Sequence, residues 1–273
     1  MRRTGDERTK MLRLIRSLRQ RGFEPHLVED RSAARGVILK LVPQSARVCI
    51  GDSSSVRQLR VIEALKERGT TVINPFDPEI QIKDEETFFN YLFLPSIEAS
   101  TGDVFLTGTN AITEDGRLLN VDGAGNRVAG MFWGHPLSIV VVGKNKIVKD
   151  LNEAFERVRN VIAPEHIRRR GGTPPCTKTG RCQDCKGSKR VCAITTIIEH
   201  KPLLTHMHVV VVEEDLGLGW DKSWPKERIE RIAKEHERFM WSVPPQVMEN
   251  VDIRRCWERL ISIWGEGSKK GGI

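Results

Sequence analysis

Four of the six cysteines in this 273-residue chain fall within one short stretch, Cys176, Cys182, Cys185 and Cys192, spaced C-x5-C-x2-C-x6-C. The residues between them are polar, basic or turn-forming, so the stretch has little apolar surface to bury and offers mainly thiolates. A Cys-x2-Cys step turns two sulfurs toward one centre, and the outer two cysteines complete a four-thiolate shell suited to zinc or an iron-sulfur cluster. Lys178, Arg181, Lys186, Lys189 and Arg190 favour the thiolate over the thiol and offset its negative charge. The spacing matches neither the compact ferredoxin pattern nor a common zinc-finger pattern, so metal identity stays open between the two. Four free or disulfide-bonded cysteines are the plainer alternative.

A second kind of chemistry sits in polar turns beyond the ends of predicted strands, where open α/β sheets bind ligands. Gly51 ends the short apolar strand Arg47–Gly51, and Asp52, Ser53 and Ser54 follow it in a polar turn that leads into a predicted helix, where backbone N–H groups favour phosphate or carboxylate. Helix capping by Asp52 or a serine explains the same residues without a ligand. Gly108, Thr109 and Asn110 repeat the arrangement after Asp103–Thr107. Asp122, Gly123, Asn126 and Arg127 form a third turn, in which glycine permits close backbone approach, Asn126 orients a ligand and Arg127 clamps an anion with two prongs. The simpler account is an exit loop whose arginine pairs with a carboxylate.

The elements that must position these groups alternate between the two periods. Residues 4–21 read as an amphipathic helix with Met11, Leu14, Ile15 and Leu18 on one face, followed by a strand or connector at 23–29 and a helix at 32–41. Helices are expected at 56–68, 84–93 and 128–132, and from Asp150 to Pro164. A strand is expected at 71–74, and a hairpin pairs 111–113 with 117–121 through Asp115-Gly116. Leu137–Val142 is a nearly continuous β-branched run, the mark of a central strand buried on both faces. Strands at 193–198 and 207–212 follow the cysteines. His206 and His208 share a face of the second and read as structural, because four cysteines already complete a shell. From residue 213 the character changes: five of the six tryptophans lie in a helical, charged tail with helices expected at 225–240 and 247–263, packed against the chain itself.

Net charge of +8 with 29% charged residues points to a basic surface that attracts anions or an acidic partner. The basic residues are interleaved with Glu and Asp, and no aromatic-rich basic strand offers a stacking platform, which argues against nucleic-acid binding. No apolar run is long enough to span a membrane, no secretion signal is visible, and bunched cysteines suit a reducing cytoplasm.

The ordered succession of Gly51-Asp-Ser-Ser, Thr107 through Ala129, Val140 through Ile147, and then the four-cysteine loop resembles the LUD-domain family associated with lactate utilisation. The resemblance implies an α/β fold with an open, mostly parallel sheet, like that of ribose-5-phosphate isomerases and CoA transferases. It divides the chain into an α/β domain at 1–215, containing the cysteine-rich metal loop at 174–193, and a Trp-rich helical C-terminal extension at 216–273. It also implies a role in oxidising lactate or a related hydroxy acid, with a small anionic metabolite as ligand and iron-sulfur redox partner proteins. No catalytic residue is carried over with it, and the tandem ferredoxin-type motifs of the larger iron-sulfur subunit are missing from this sequence. Two other readings follow from the same residues. One is an isomerase or transferase acting on a sugar phosphate or acyl-CoA, with Asp52, Glu114 or Asp122 as base. The other is a non-enzymatic module docking a redox partner.

Overall fold

The computed structural model describes residues 3–270, and its side chains from 7 to 265. Ten strands form two sheets: β1 (Glu24–Val28), β2 (Arg47–Ile50), β3 (Thr71–Ile73), β4 (Val104–Gly108), β5 (Ala111–Thr113), β6 (Leu118–Asp122), β7 (Leu137–Gly143), β8 (Ile147–Val148), β9 (Ile194–Ile198) and β10 (His206–Val212). The main sheet is six-stranded, parallel throughout, in the order β1-β10-β7-β4-β2-β3. The second is four-stranded, β8-β5-β6-β9, and contains the expected hairpin.

Both faces of the main sheet are buried, which is why its central strands are almost wholly apolar. Val48, Ile50, Val104, Leu106, Ile139, Val141, Val210 and Val212 face one core together with helices 31–41 and 61–67. Their alternates Cys49, Phe105, Val140, Val142, Val209 and Val211 face the other, which includes Met11, Leu14, Ile15 and Leu18 of the helix Arg3–Gln20. The amphipathic stripe of that helix is therefore core packing.

Several elements differ from their sequence expectations, each for a local reason. The helix expected at 56–68 is two helices, Ser54–Gln58 and Val61–Glu67, separated at Arg60, whose φ of 53° places it in the left-handed region. The helix beginning at Glu85 continues past residue 93 to Glu98, and the one beginning at Leu151 passes Pro164 to Arg169. Proline lacks an N–H and its ring collides with the carbonyl four residues back. In both helices a π-turn immediately precedes the proline segment, with Leu94 N–H donating to the Phe89 carbonyl and Ala163 N–H to the Val158 carbonyl. The widened register moves the offending carbonyl away and lets the helix pass through Pro95 and Pro164. The helix expected at 128–132 begins two residues earlier at Asn126, and the one expected at 247–263 is two, Pro245–Asn250 and Ile253–Lys270.

The tail packs on the rest of the chain. Leu218 and Trp220 join a core beneath Ala154, Val158 and Ile162, while Trp241, Val247 and Leu260 join Phe76, Phe88 and Phe89. His26 and His208 stack at 5.2 Å on the strand-start side of the sheet, and His206 is exposed.

Candidate functional site

The C-terminal ends of β2, β4, β7 and β10 are neighbours, so the segments leaving them converge on one region. Gly108 makes the closest approach possible: a Cβ there would lie 2.5 Å from Ser53 Oγ and 3.2 Å from the Val141 carbonyl. Ser53 caps the short helix Ser54–Gln58, its Oγ accepting from Val56 N–H at 3.3 Å. Gly51 packs against the Thr107 hydroxyl. Both predicted turns, after β2 and after β4, thus lie in the same place.

The third turn joins them through Arg127. Its Nη1 donates to Asn120 Oδ1 at 2.9 Å and the Gly108 carbonyl at 3.3 Å, and its Nη2 to the Val121 carbonyl at 3.0 Å and Asn110 Oδ1 at 3.2 Å. Nε faces Asp122 Oδ2 at 3.1 Å, while Asp122 Oδ1 accepts from Gly125 N–H. The guanidinium read from sequence as a ligand clamp therefore ties β4 to β6 inside the protein. Asn126, read as orienting a ligand, is exposed at the start of its helix and is not brought into the cluster. Gly123 lies instead beside Val191 of the cysteine loop.

Asp52 pairs with Arg57 at 2.8 Å. Burial would raise the Asp52 carboxyl, but Arg57, Arg170 and His166 outweigh it and hold the group below the usual carboxylate range. Arg57 Nε donates to the Phe239 carbonyl at 2.7 Å, whereas its Nη1 is buried without a partner. Thr107 Oγ1 and Asn120 Nδ2 are likewise buried and unpartnered. Among the described residues, then, three polar atoms at the strand ends have no hydrogen bond, although burying such a group costs about 1–3 kcal/mol.

Two histidines and a lysine complete the cluster. His236, on the helix Lys226–Arg238, lies 2.9 Å through Nδ1 from Ser54 Oγ, and its Nε2 lies 3.4 Å from His166 Nδ1. Burial drives His236 down to about 2, assisted by the charges of His166 and Lys146, and burial and Arg170 drive His166 down to about 4. Both rings are neutral at physiological pH. Lys146, just after β7, is buried with Nζ 3.0 Å from Ser55 Oγ and 2.9 Å from the Thr109 carbonyl. Burial and then the Arg127 charge lower its ammonium to about 7. Gly217 covers this amine: a Cβ there would lie 2.5 Å from Ser55 Oγ and 2.9 Å from Nζ, and its φ of +65° suits glycine.

Arg57, Lys146, His166, Arg170 and His236 escaped the sequence reading. Lys146 lies within the quoted Val140–Ile147 segment, but nothing in its spacing marks it as buried. The two histidines are 70 residues apart and meet only through packing. The three carboxylates considered as bases do not converge: Asp52 faces Arg57, Asp122 faces Arg127, and Glu114 faces Arg13 of the first helix.

Cys176, Cys182, Cys185 and Cys192 line a single cavity with Val121, Ile167 and Arg190. All are free thiols. Among the described residues, no three His, Cys, Asp or Glu side chains are arranged to hold a metal. The donor set still fits a cation chemically. Burial raises the Cys176 and Cys192 thiols, and mutual repulsion among the four thiolates raises them further, the penalty that a bound metal ion reverses. This cavity adjoins the strand-end cluster, because Val121 and Ile167 line it while the Val121 carbonyl holds Arg127 and residue 166 is the cluster histidine.

Fold and site together define an α/β protein with a cation-rich cluster at the ends of parallel strands and a cysteine-lined cavity beside it. A family model, the LUD domain, matches residues 11–212, and the chain belongs to that family. The crystal structure of a DUF162 family protein from Deinococcus radiodurans is similar at 16% identity and a TM-score of 0.44, covering 76% of this chain and 98% of that one. No curated protein matches the chain. No described helix is long and apolar enough to cross a membrane.

Proposed function

We propose that this LUD-domain protein binds a small anionic metabolite, lactate or a related hydroxy acid, at the strand-end cluster, as a component of hydroxy-acid utilisation. The observation that carries the reading is the buried, unpartnered Nη1 of Arg57, a guanidinium donor positioned for a carboxylate or phosphate oxygen. The charge balance agrees with it. Arg57, Arg127, Arg170 and the titrating Lys146 stand near Asp52 and Asp122, and each of these carboxylates already has an arginine partner. An anion is the ligand that such a surplus favours.

Calorimetric titration with lactate, other 2-hydroxy acids and sugar phosphates tests the reading. Arg57→Lys keeps a charge beside Asp52 but loses the planar fork, and should weaken binding by about tenfold or more. Arg127→Ala should weaken it too, by releasing the loops that Arg127 joins. Unchanged affinity in both variants for every compound bound by the wild type would remove the proposed site.

Beside that cluster, Cys176, Cys182, Cys185 and Cys192 would hold an iron-sulfur cluster or zinc. A cluster would supply electron transfer to an iron-sulfur partner protein, and zinc would fold the loop. Anaerobic purification with metal and sulfide analysis distinguishes them: brown absorbance with iron and sulfide supports the redox role, and stoichiometric zinc supports the structural one. Either metal should be lost from the Cys182→Ser/Cys185→Ser variant. Protein isolated with neither metal, and binding neither on reconstitution, would refute the metal centre.

A further inference from the structure

Hydrogen bonds at the strand-end cluster have a direction that the groups themselves dictate. Arg170 Nη1 lies 3.3 Å from His166 Nε2, and a guanidinium only donates, so His166 Nε2 must accept. A neutral imidazole carries one proton, which in His166 is then on Nδ1, facing His236 Nε2 at 3.4 Å. That nitrogen accepts in turn, and the proton of neutral His236 sits on its Nδ1, aimed at Ser54 Oγ at 2.9 Å. Ser54 Oγ therefore receives a proton donor, and its own hydroxyl proton is the free end of the chain. Every step follows from Arg170 being unable to accept, and the low proton affinities of both buried rings keep them neutral, as the chain requires.

We infer that Ser54 is the hydroxyl donor that recognises an oxygen of the ligand carboxylate, its polarity set by a one-way chain from Arg170 through His166 and His236. This deepens the anion-site reading and rests on it. Ser54 is partly exposed, unlike its buried neighbour Ser55, and stands three residues before Arg57 on the helix Ser54–Gln58, a spacing that puts both on one face. In this reading the hydroxyl and the unpartnered Arg57 Nη1 would each donate to an oxygen of the ligand carboxylate. Hydrogen bonds in such a chain polarise one another, and the cation at its head strengthens the donor at its end. The arrangement also excludes a role for His236 as the base that activates Ser54, because the imidazole nitrogen facing the hydroxyl carries the proton. His236 lies beyond the matched residues 11–212, so the C-terminal helix supplies a link in the chain.

Nitrogen-15 NMR of the full-length wild-type chain tests the direction without any ligand. Both His166 and His236 should show protonated Nδ1 and unprotonated Nε2, the less common tautomer of a free histidine side chain. The Nε2–H tautomer at either residue, or a doubly protonated ring at pH 7, would overturn the chain. Ser54→Ala should then lower affinity for 2-hydroxy acids about 10- to 100-fold, as expected for losing a hydrogen bond to a charged group. Equal affinity in wild type and Ser54→Ala would overturn the assignment of Ser54. Failure of the wild type to bind any carboxylate would overturn the anion-site reading and the ligand end of this chain, while the tautomers decide the chain itself.

Discussion

Between pH 7 and 9 the wild-type protein should gain about 2 kcal/mol of stability relative to a Lys146→Met variant. The Lys146 ammonium, buried between Ser55 and the Thr109 carbonyl with no carboxylate partner among the described residues, titrates at about 7 in the folded chain, against an ordinary value of 10.5. Between those values the unfolded chain binds the proton more readily than the folded one, so stability rises with pH through the window. Below about pH 7 both states are protonated and the full cost of burying the charge remains. Buried thiols act the other way in the alkaline range: Cys49, for example, is raised to about 11, which favours the folded chain less as pH climbs past the ordinary thiol value. They are common to both proteins and cancel in the comparison. Denaturant unfolding of the pair at several pH values measures the difference, and parallel stability curves would show that Lys146 titrates normally.

Arg57→Ala should destabilise the protein by about 3 kcal/mol, most of which a second change, Asp52→Ala, should restore. Alone, the substitution removes the guanidinium bonded to the partly buried Asp52 carboxylate and leaves the Phe239 carbonyl without its donor. Asp52 keeps about a fifth of its side-chain surface exposed, at 22%, which places the cost at the lower end for a buried pair. Acid has a related effect. Asp52 is held below its ordinary range, so its pairing stabilises the fold above pH ~4 and that contribution is lost as pH falls through the lowered folded value. A double-mutant cycle on unfolding midpoints reads the coupling, and additive losses would show that the pair contributes little.

The local patterns in the chain determined much of its architecture. Leu137–Val142 reads as a strand covered on both faces because both sets of alternating residues are apolar, and in the folded sheet they line two separate cores. Asp115-Gly116 marks a hairpin because the turn needs a left-handed residue, and Gly116 has a φ of +89°. The positions of the strand-end turns were legible for the same reason: strand, turn and helix signals are contiguous in sequence. The four cysteines, close in sequence, were legible as a group and line one cavity.

Roles within the site needed the tertiary structure. From sequence, Arg127 has the form of an anion clamp, yet four acceptors and Asp122 engage it, because β6 brings Asn120, Val121 and Asp122 to the place where β4 and its turn supply Gly108 and Asn110. Arg57 looks like an ordinary helical arginine, and only its burial against Asp52 and Phe239 leaves one donor unsatisfied. His166 and His236 carry no motif. Their meeting depends on one helix continuing through Pro164 by way of a π-turn and on a tail helix folding back onto the strand ends. Periodicity and turn chemistry are properties of neighbouring residues and can be read along the chain. Protonation, hydrogen-bond direction and unmet donors depend on which distant groups share a low-dielectric space, and that is decided only when the chain packs.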